Sequence, residues 1–151
     1  MKGVNLIGTK LSKNRISHYF SLAENACCYS DNAITHVGAV LIYKNKVMSI
    51  GWNVQNKTHP IQREYNKLRG FNPDDSGVRN SLHAEMMCLL KAKDLDLDWN
   101  KCCLFVFRKK KTGIVGMARP CNACMGYIKS LGLKNIYYTT ENGWAYECIN
   151  Q

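Results

Sequence analysis

Residues 101–140 read KCCLFVFRKKKTGIVGMARPCNACMGYIKSLGLKNIYYTT, and the alternation inside this stretch decides the fold. Lys101 to Phe107 is rich in aromatic and aliphatic residues and reads as a strand. It continues through Arg108-Lys109-Lys110-Lys111, and Thr112-Gly113 reads as a turn into a short return strand at Ile114-Val115. Cys121 to Leu131 repeats Ala123, Tyr127, Ile128 and Leu131 on one side of a helix, with Gly132 placed as its cap. Asn135 to Thr140 reads as a strand again. Asn142-Gly143 then reads as a two-residue hairpin turn into Trp144-Ala145-Tyr146.

Upstream, Ile16, Tyr19, Phe20, Ala23 and Cys27 recur at helical spacing, so Ile16 to Cys28 reads as an amphipathic helix. Val37 to Tyr43 is a buried strand, and Lys44-Asn45-Lys46 turns it into a second one, Val47 to Trp52. Residues 53–81 are polar and aperiodic, which marks a functional loop or a short helix without an apolar face. Leu82, Met86, Leu89 and Leu90 mark one face of a helix that runs to about Lys93. Residues 1–13 read as a loose basic arm. The order α-β-β-α-β-α-β-β predicts an α/β fold: a three-layer α/β/α sandwich around a mixed sheet of about five strands. No repeat or linker divides the chain, so residues 1–151 are expected to form one domain.

The chain has 151 residues, 46% of them hydrophobic and 21% charged, which excludes a disordered protein. Its 21 Lys and Arg against 11 Asp and Glu leave +10 at neutral pH. That excess fits a phosphate-bearing partner, a nucleotide or a nucleic acid, although a merely basic soluble surface fits it equally. No apolar run approaches the ~20 residues that cross a bilayer, and no signal peptide is visible, so no membrane partner is expected. Eight Cys, several in adjacent apolar pairs such as Cys27-Cys28 and Cys102-Cys103, read as buried thiols in a reducing, cytoplasmic setting.

Two helix starts carry chemistry: His83-Ala84-Glu85 and Pro120-Cys121-Asn122-Ala123-Cys124. One His and two Cys suit Zn²⁺, and three protein ligands leave a fourth position open for water. Cys121 and Cys124 share one helix face, where the positive helix end favours thiolates. Glu85 is placed to move protons beside such a metal. Residues i and i+2 diverge on a regular helix, so His83 and Glu85 meet only if the site lies past the helix N-terminus. Cys88 points elsewhere and is expected in the core.

His-x-Glu with Pro-Cys-x-x-Cys is the zinc nucleobase-deaminase signature, and the chain resembles the cytidine/deoxycytidylate deaminase superfamily. Gly51-Trp52-Asn53 resembles the family's Gly-x-Asn element, and Ser81-Leu82-His83-Ala84-Glu85 its catalytic helix start. Ala118-Arg119-Pro120-Cys121-Asn122-Ala123-Cys124 resembles its second ligand motif, and residues 134–140 the strand that follows. The elements keep the family's order over about residues 15–147.

The resemblance implies one zinc ion per chain on His83, Cys121 and Cys124, with Glu85 as proton shuttle. It implies hydrolysis of cytosine at C4 to uracil, with Ala84 N–H on the base carbonyl and Asn53 on base or sugar. His59 and Phe71 in the long loop, and Arg108 in the basic run, are further candidates for substrate contact, Phe71 by stacking. That loop has His59 but no Cys, so a second, structural zinc is not expected. The resemblance also implies a homo-oligomer. The other six Cys are expected in the core. Two substrate classes stay open. The compact chain favours a free nucleotide such as dCMP, whereas the charge favours a cytosine (or adenine) in single-stranded DNA or RNA. A non-catalytic zinc scaffold has no need of Glu85.

Overall fold

The computed structural model describes residues 11–149. Helix α1 (Lys13–Cys27) is followed by the strands β1 (Thr35–Tyr43) and β2 (Lys46–Trp52) and a short helix α2 (Pro60–Tyr65). Then come α3 (Ala84–Ala92), β3 (Cys103–Lys110), α4 (Asn122–Leu131), β4 (Asn135–Thr140) and β5 (Gly143–Cys148). The sheet order is β2-β1-β3-β4-β5. β1 runs antiparallel to β2 and β3, β3 and β4 are parallel, and β5 returns antiparallel to β4. A mixed five-stranded sheet results.

Alternation along each strand builds the layers. Val40, Ile42, Phe105, Phe107, Tyr137, Trp144 and Tyr146 face α1, which brings Ile16, Tyr19, Phe20, Ala23 and Cys27 to them. The intervening residues Ala39, Leu41, Leu104, Val106, Ile136 and Tyr138 form a separate core with Met86, Cys88 and Leu89 of α3 and Cys124 and Ile128 of α4. The three-layer α/β/α sandwich follows from this division. Phe105 and Tyr137 stack with centroids 4.4 Å apart, and Phe20 meets Phe105 edge-on at 5.1 Å.

Glycine sets how closely the helices approach. A Cβ on Gly38 would strike the Ala23 carbonyl of α1, and one on Gly51 would strike the Ala84 carbonyl and the Cys88 amide of α3. The two lie on adjacent strands, Gly38 opposite Trp52 and Gly51 opposite Ala39, one for each face of the sheet.

Several sequence expectations shift. The segment 53–81 contains α2 and a 3-10 turn over Asn66–Arg69. It showed no apolar period because, of the four residues it buries, Gln62, Asn66 and Asn80 are amides and the fourth is Pro73. Leu82 lies before α3 rather than on its face, in an isolated bridge to Val54. Ile114-Val115 forms no strand: only Val115 bridges to Lys109. The last hairpin turns on Glu141-Asn142, one residue early, because Thr140 pairs with Gly143, whose φ is 154°. Cys28 and Cys148 are exposed and Cys103 is half-buried, so not all six remaining thiols are core. The arm expected over residues 1–13 lies mostly outside the described residues, and its end is structured, with Ser12 capping α1 through Arg15 N–H at 3.2 Å. Among the described residues, no helix is long and apolar enough to cross a membrane.

Overpacking of this kind costs about 1–3 kcal/mol or more. Gly51→Ala is therefore expected to lower stability by at least that amount in urea denaturation. An unchanged midpoint would show that α3 does not rest on the β2 backbone.

Candidate functional site

Both helices that cover one face of the sheet begin at the same edge, and each opens on a residue that does not cap it. His83 and Cys121 are the N-cap residues of α3 and α4, both with extended backbone (φ −81°, ψ 154° and φ −66°, ψ 169°). Their carbonyls accept the first helical bonds, from Met87 N at 3.0 Å and Met125 N at 2.8 Å. Neither side chain bonds its own helix. The extended conformation at His83 removes the i, i+2 conflict, since the imidazole leaves the chain before the helix starts.

Both side chains turn to each other instead. His83 Nδ1 lies 3.4 Å from Cys121 Sγ and 3.4 Å from Cys124 Sγ. The three donor atoms all lie within 4.8 Å of one another. Ligands on a tetrahedral zinc, at about 2.0–2.3 Å from the ion, are themselves about 3.5 Å apart. The donor set and its spacing fit zinc, with one coordination position left to a non-protein ligand. Hydrogen bonding from the Cys124 thiol, with His83 alongside, holds Cys121 well below the ordinary thiol range. A thiolate is the form that ligates.

The cluster opens into a cavity of about 330 Å³. Glu85, in the first turn of α3 and only 6% exposed, lines it next to His83 and Cys121. Burial pushes its carboxyl up, against the opposing pull of His83. Asn53, Ala84 and Arg108 line the same cavity, as do Thr35, Arg69 and Arg119. A buried carboxyl that holds its proton more tightly than usual, beside a metal-ligand cluster, is equipped to accept and return protons.

Residues 13–140 match the family described as "Cytidine and deoxycytidylate deaminase zinc-binding region". The chain belongs to this family. It is a zinc-dependent hydrolytic deaminase of the cytosine type. Among curated proteins no sequence matches it significantly. The dCMP deaminase of cyanophage S-TIM5 in apo form is similar in fold, with TM-score 0.57, 22% identity and 86% of each chain covered. The same phage enzyme in complex with dCMP and dUMP gives 0.56, 20% identity and coverage of 86% and 84%. The cytidine deaminase of Burkholderia pseudomallei gives 0.59, 16% identity and coverage of 91% and 93%.

The sequence-derived candidates of this deaminase fare unequally. His83, Glu85, Cys121, Cys124, Asn53, Ala84 and Arg108 converge, whereas His59 and Phe71 do not line the cavity. His59 is the N-cap of α2, its Nδ1 accepting from Ile61 N–H at 3.1 Å. Phe71 carries the Arg69 guanidinium over its ring at 5.1 Å. Asn53 reaches the cavity with its amide already engaged: Oδ1 accepts from Val37 N–H at 2.8 Å and Nδ2 donates to the Thr35 carbonyl at 3.0 Å. One N–H and one lone pair remain. Arg108 donates to Thr35 Oγ1 at 3.1 Å.

Sequence reasoning missed Gln62 and Arg69. Gln62 is fully buried, and its Oε1 accepts the His83 backbone N–H at 3.1 Å. Its Nε2 donates to Asn66 Oδ1 at 2.8 Å, Asn66 donates to Asn80 Oδ1 at 2.8 Å, and Asn80 donates to the Pro73 carbonyl at 3.0 Å. This amide chain fixes the metal-ligand residue to the 60–80 segment, and that segment delivers Arg69. Nothing in a polar, aperiodic stretch signals such a role.

Outer partners of metal ligands are worth about 10–100-fold in metal affinity. Gln62→Leu, which removes the acceptor for His83 N–H, is expected to weaken zinc by that factor in a chelator competition. Gln62→Glu, which keeps an acceptor oxygen, is expected to lose much less. Equal zinc affinity in wild type and Gln62→Leu would contradict the role.

Proposed function

We propose that this chain deaminates the cytosine base of a phosphorylated pyrimidine nucleotide, dCMP being the simplest candidate. The observation that carries the reading is the pairing, in one cavity, of the Glu85 and metal-ligand cluster with three arginines, Arg69, Arg108 and Arg119. Guanidinium groups match phosphate oxygens in geometry and charge. The volume, about 330 Å³, lies at the small end of ligand sites and suits one nucleotide.

Zinc, when bound on His83, Cys121 and Cys124, supplies an acidified water for attack at C4. Glu85 would take one proton of that water and pass it to N3 of the base, then take the second from the new C4 hydroxyl, which becomes the carbonyl, and deliver it to the departing N4 amine. Water and cytosine enter; uracil and ammonia leave. Ala84 is the first residue of α3, so its N–H has no intrahelical acceptor and serves the base carbonyl. Asn53, held by β1, offers its remaining amide hydrogen to base or sugar. Arg108 and Arg69 take the phosphate. A cytosine in single-stranded nucleic acid is the second reading, favoured by the net charge of +10.

Ammonia release from zinc-loaded protein tests the reading directly. dCMP or CMP is expected to turn over with higher kcat/KM than deoxycytidine. Glu85→Gln is expected to keep zinc while losing about 10²–10⁴-fold in kcat. Equal turnover of nucleoside and nucleotide would remove the phosphate from the proposal. Activity retained in Glu85→Gln would refute the assigned proton path.

A further inference from the structure

Beside the catalytic cavity lies a second cleft of about 290 Å³, bounded by residues 55–58 on one side and 79–81 on the other. Its walls are polar throughout, and no carboxylate lines it. Lys57 and Arg79 line it, one from each segment, and both are exposed. Neither side chain has a hydrogen-bonding or acidic partner among the described residues. Most other cations near the site are engaged: Arg108 with Thr35, Arg119 with Glu147 at 2.8 Å, Arg63 with Asp74, Lys67 with Glu64, and Arg69 over Phe71. Lys57 and Arg79 are cations left available for an outside anion.

The cleft adjoins the catalytic cavity, because Ser81 lines both. Its frame is fixed before any ligand arrives. Leu82 N–H donates to the Lys57 carbonyl at 2.8 Å, Ser81 Oγ donates to the Gln55 carbonyl at 3.0 Å, and Val54 N–H donates to the Leu82 carbonyl at 3.0 Å. Asn80, at the base of the cleft, is held by Asn66 and Pro73 in the same amide chain that positions His83. The catalytic cavity has room for about one nucleotide, so any further phosphate must leave it through an opening. The neighbouring cleft combines adjacency to the cavity, cations without a partner among the described residues, and walls without a carboxylate.

We propose that the Lys57–Arg79 cleft is a subsite for a substrate phosphate beyond that of the nucleotide whose base is deaminated. The proposal rests on the cytosine-nucleotide reading above. The ligand chemistry is a phosphate one linkage further along, carried either by a nucleoside polyphosphate or by the next unit of a single strand.

The test compares kcat/KM for dCMP, dCTP and the dinucleotides TpdC and dCpT in wild type and in the double variant Lys57→Gln/Arg79→Gln. Both residues are exposed, so the variant is expected to fold with an unchanged melting temperature. An extended substrate is expected to lose about tenfold or more while dCMP stays within twofold. Loss confined to dCTP assigns the cleft to a polyphosphate, and loss confined to a dinucleotide assigns it to a strand. Loss on dCMP of the same size, or no loss on any extended substrate, overturns the proposal. Binding of dCTP and of a fluorescein-labelled single-stranded hexanucleotide to both proteins keeps the two readings separable. If no cytosine compound is turned over, the deamination reading fails on its own, and the cleft stands only if the double variant weakens one of these ligands about tenfold. Unchanged affinities for both would overturn it.

Discussion

The structure depends on two helix N-termini giving up their caps to a shared ligand cluster. His83 and Cys121 occupy N-cap positions, where Ser, Thr, Asp or Asn would satisfy a free backbone N–H. Each omitted cap costs about 0.5–2 kcal/mol. Metal binding at folded His and Cys sites contributes far more, about 10–16 kcal/mol in small structural zinc sites. The exchange is favourable only if the two helices are already brought together, and the sheet does that. Gly51 lets α3 rest against β2, and the parallel pair β3–β4 brings the start of α4 to the same edge. Thr139 then anchors the approach to Cys121: its hydroxyl donates to the Gly116 carbonyl at 2.8 Å, and its carbonyl accepts Ala118 N–H at 2.9 Å.

The same arrangement sets the electrostatics. Two helix dipoles point their positive ends at the cluster, which favours a thiolate at Cys121. Glu85 sits in the first turn of α3, where its charge is also favoured, yet burial acts against it and prevails. A carboxyl balanced between these influences can change protonation state during a reaction, which a fully solvated one does less readily. Arginines supply the outer ring of charge, each braced by a neighbour such as Thr35, Phe71 or Glu147. Bracing reduces the entropy lost when a phosphate is gripped.

Much of this was legible in the residues. The strands were, because Phe105, Phe107, Tyr137 and Tyr146 alternate with residues of the opposite core and β-branched or aromatic side chains dominate them. The metal ligands were, because zinc needs few residue types at fixed spacing. The convergence of His83 with Glu85 depends on where the helix begins, and the N-cap geometry of His83 meets that condition. What stayed hidden was polar. Gln62, Asn66 and Asn80 form a buried amide chain, and buried amides leave no period in a sequence. Arg69 reaches the cavity through a 3-10 turn that propensity does not mark. His59 looked like a substrate contact and is a helix cap, because the first turn of α2 needs an acceptor there. Phe71 looked like a stacking platform and is covered by an arginine.

The most direct test of the central claim is the coordination of the metal itself, read by zinc stoichiometry and X-ray absorption at the zinc edge on the purified chain. The expected result is one zinc per chain with two sulfur ligands at about 2.3 Å, one nitrogen at about 2.0 Å and one light-atom ligand that exchanges with solvent. Cys121→Ala should then remove one sulfur from the shell. A chain that binds no zinc, or a site closed by four protein ligands, would contradict the account.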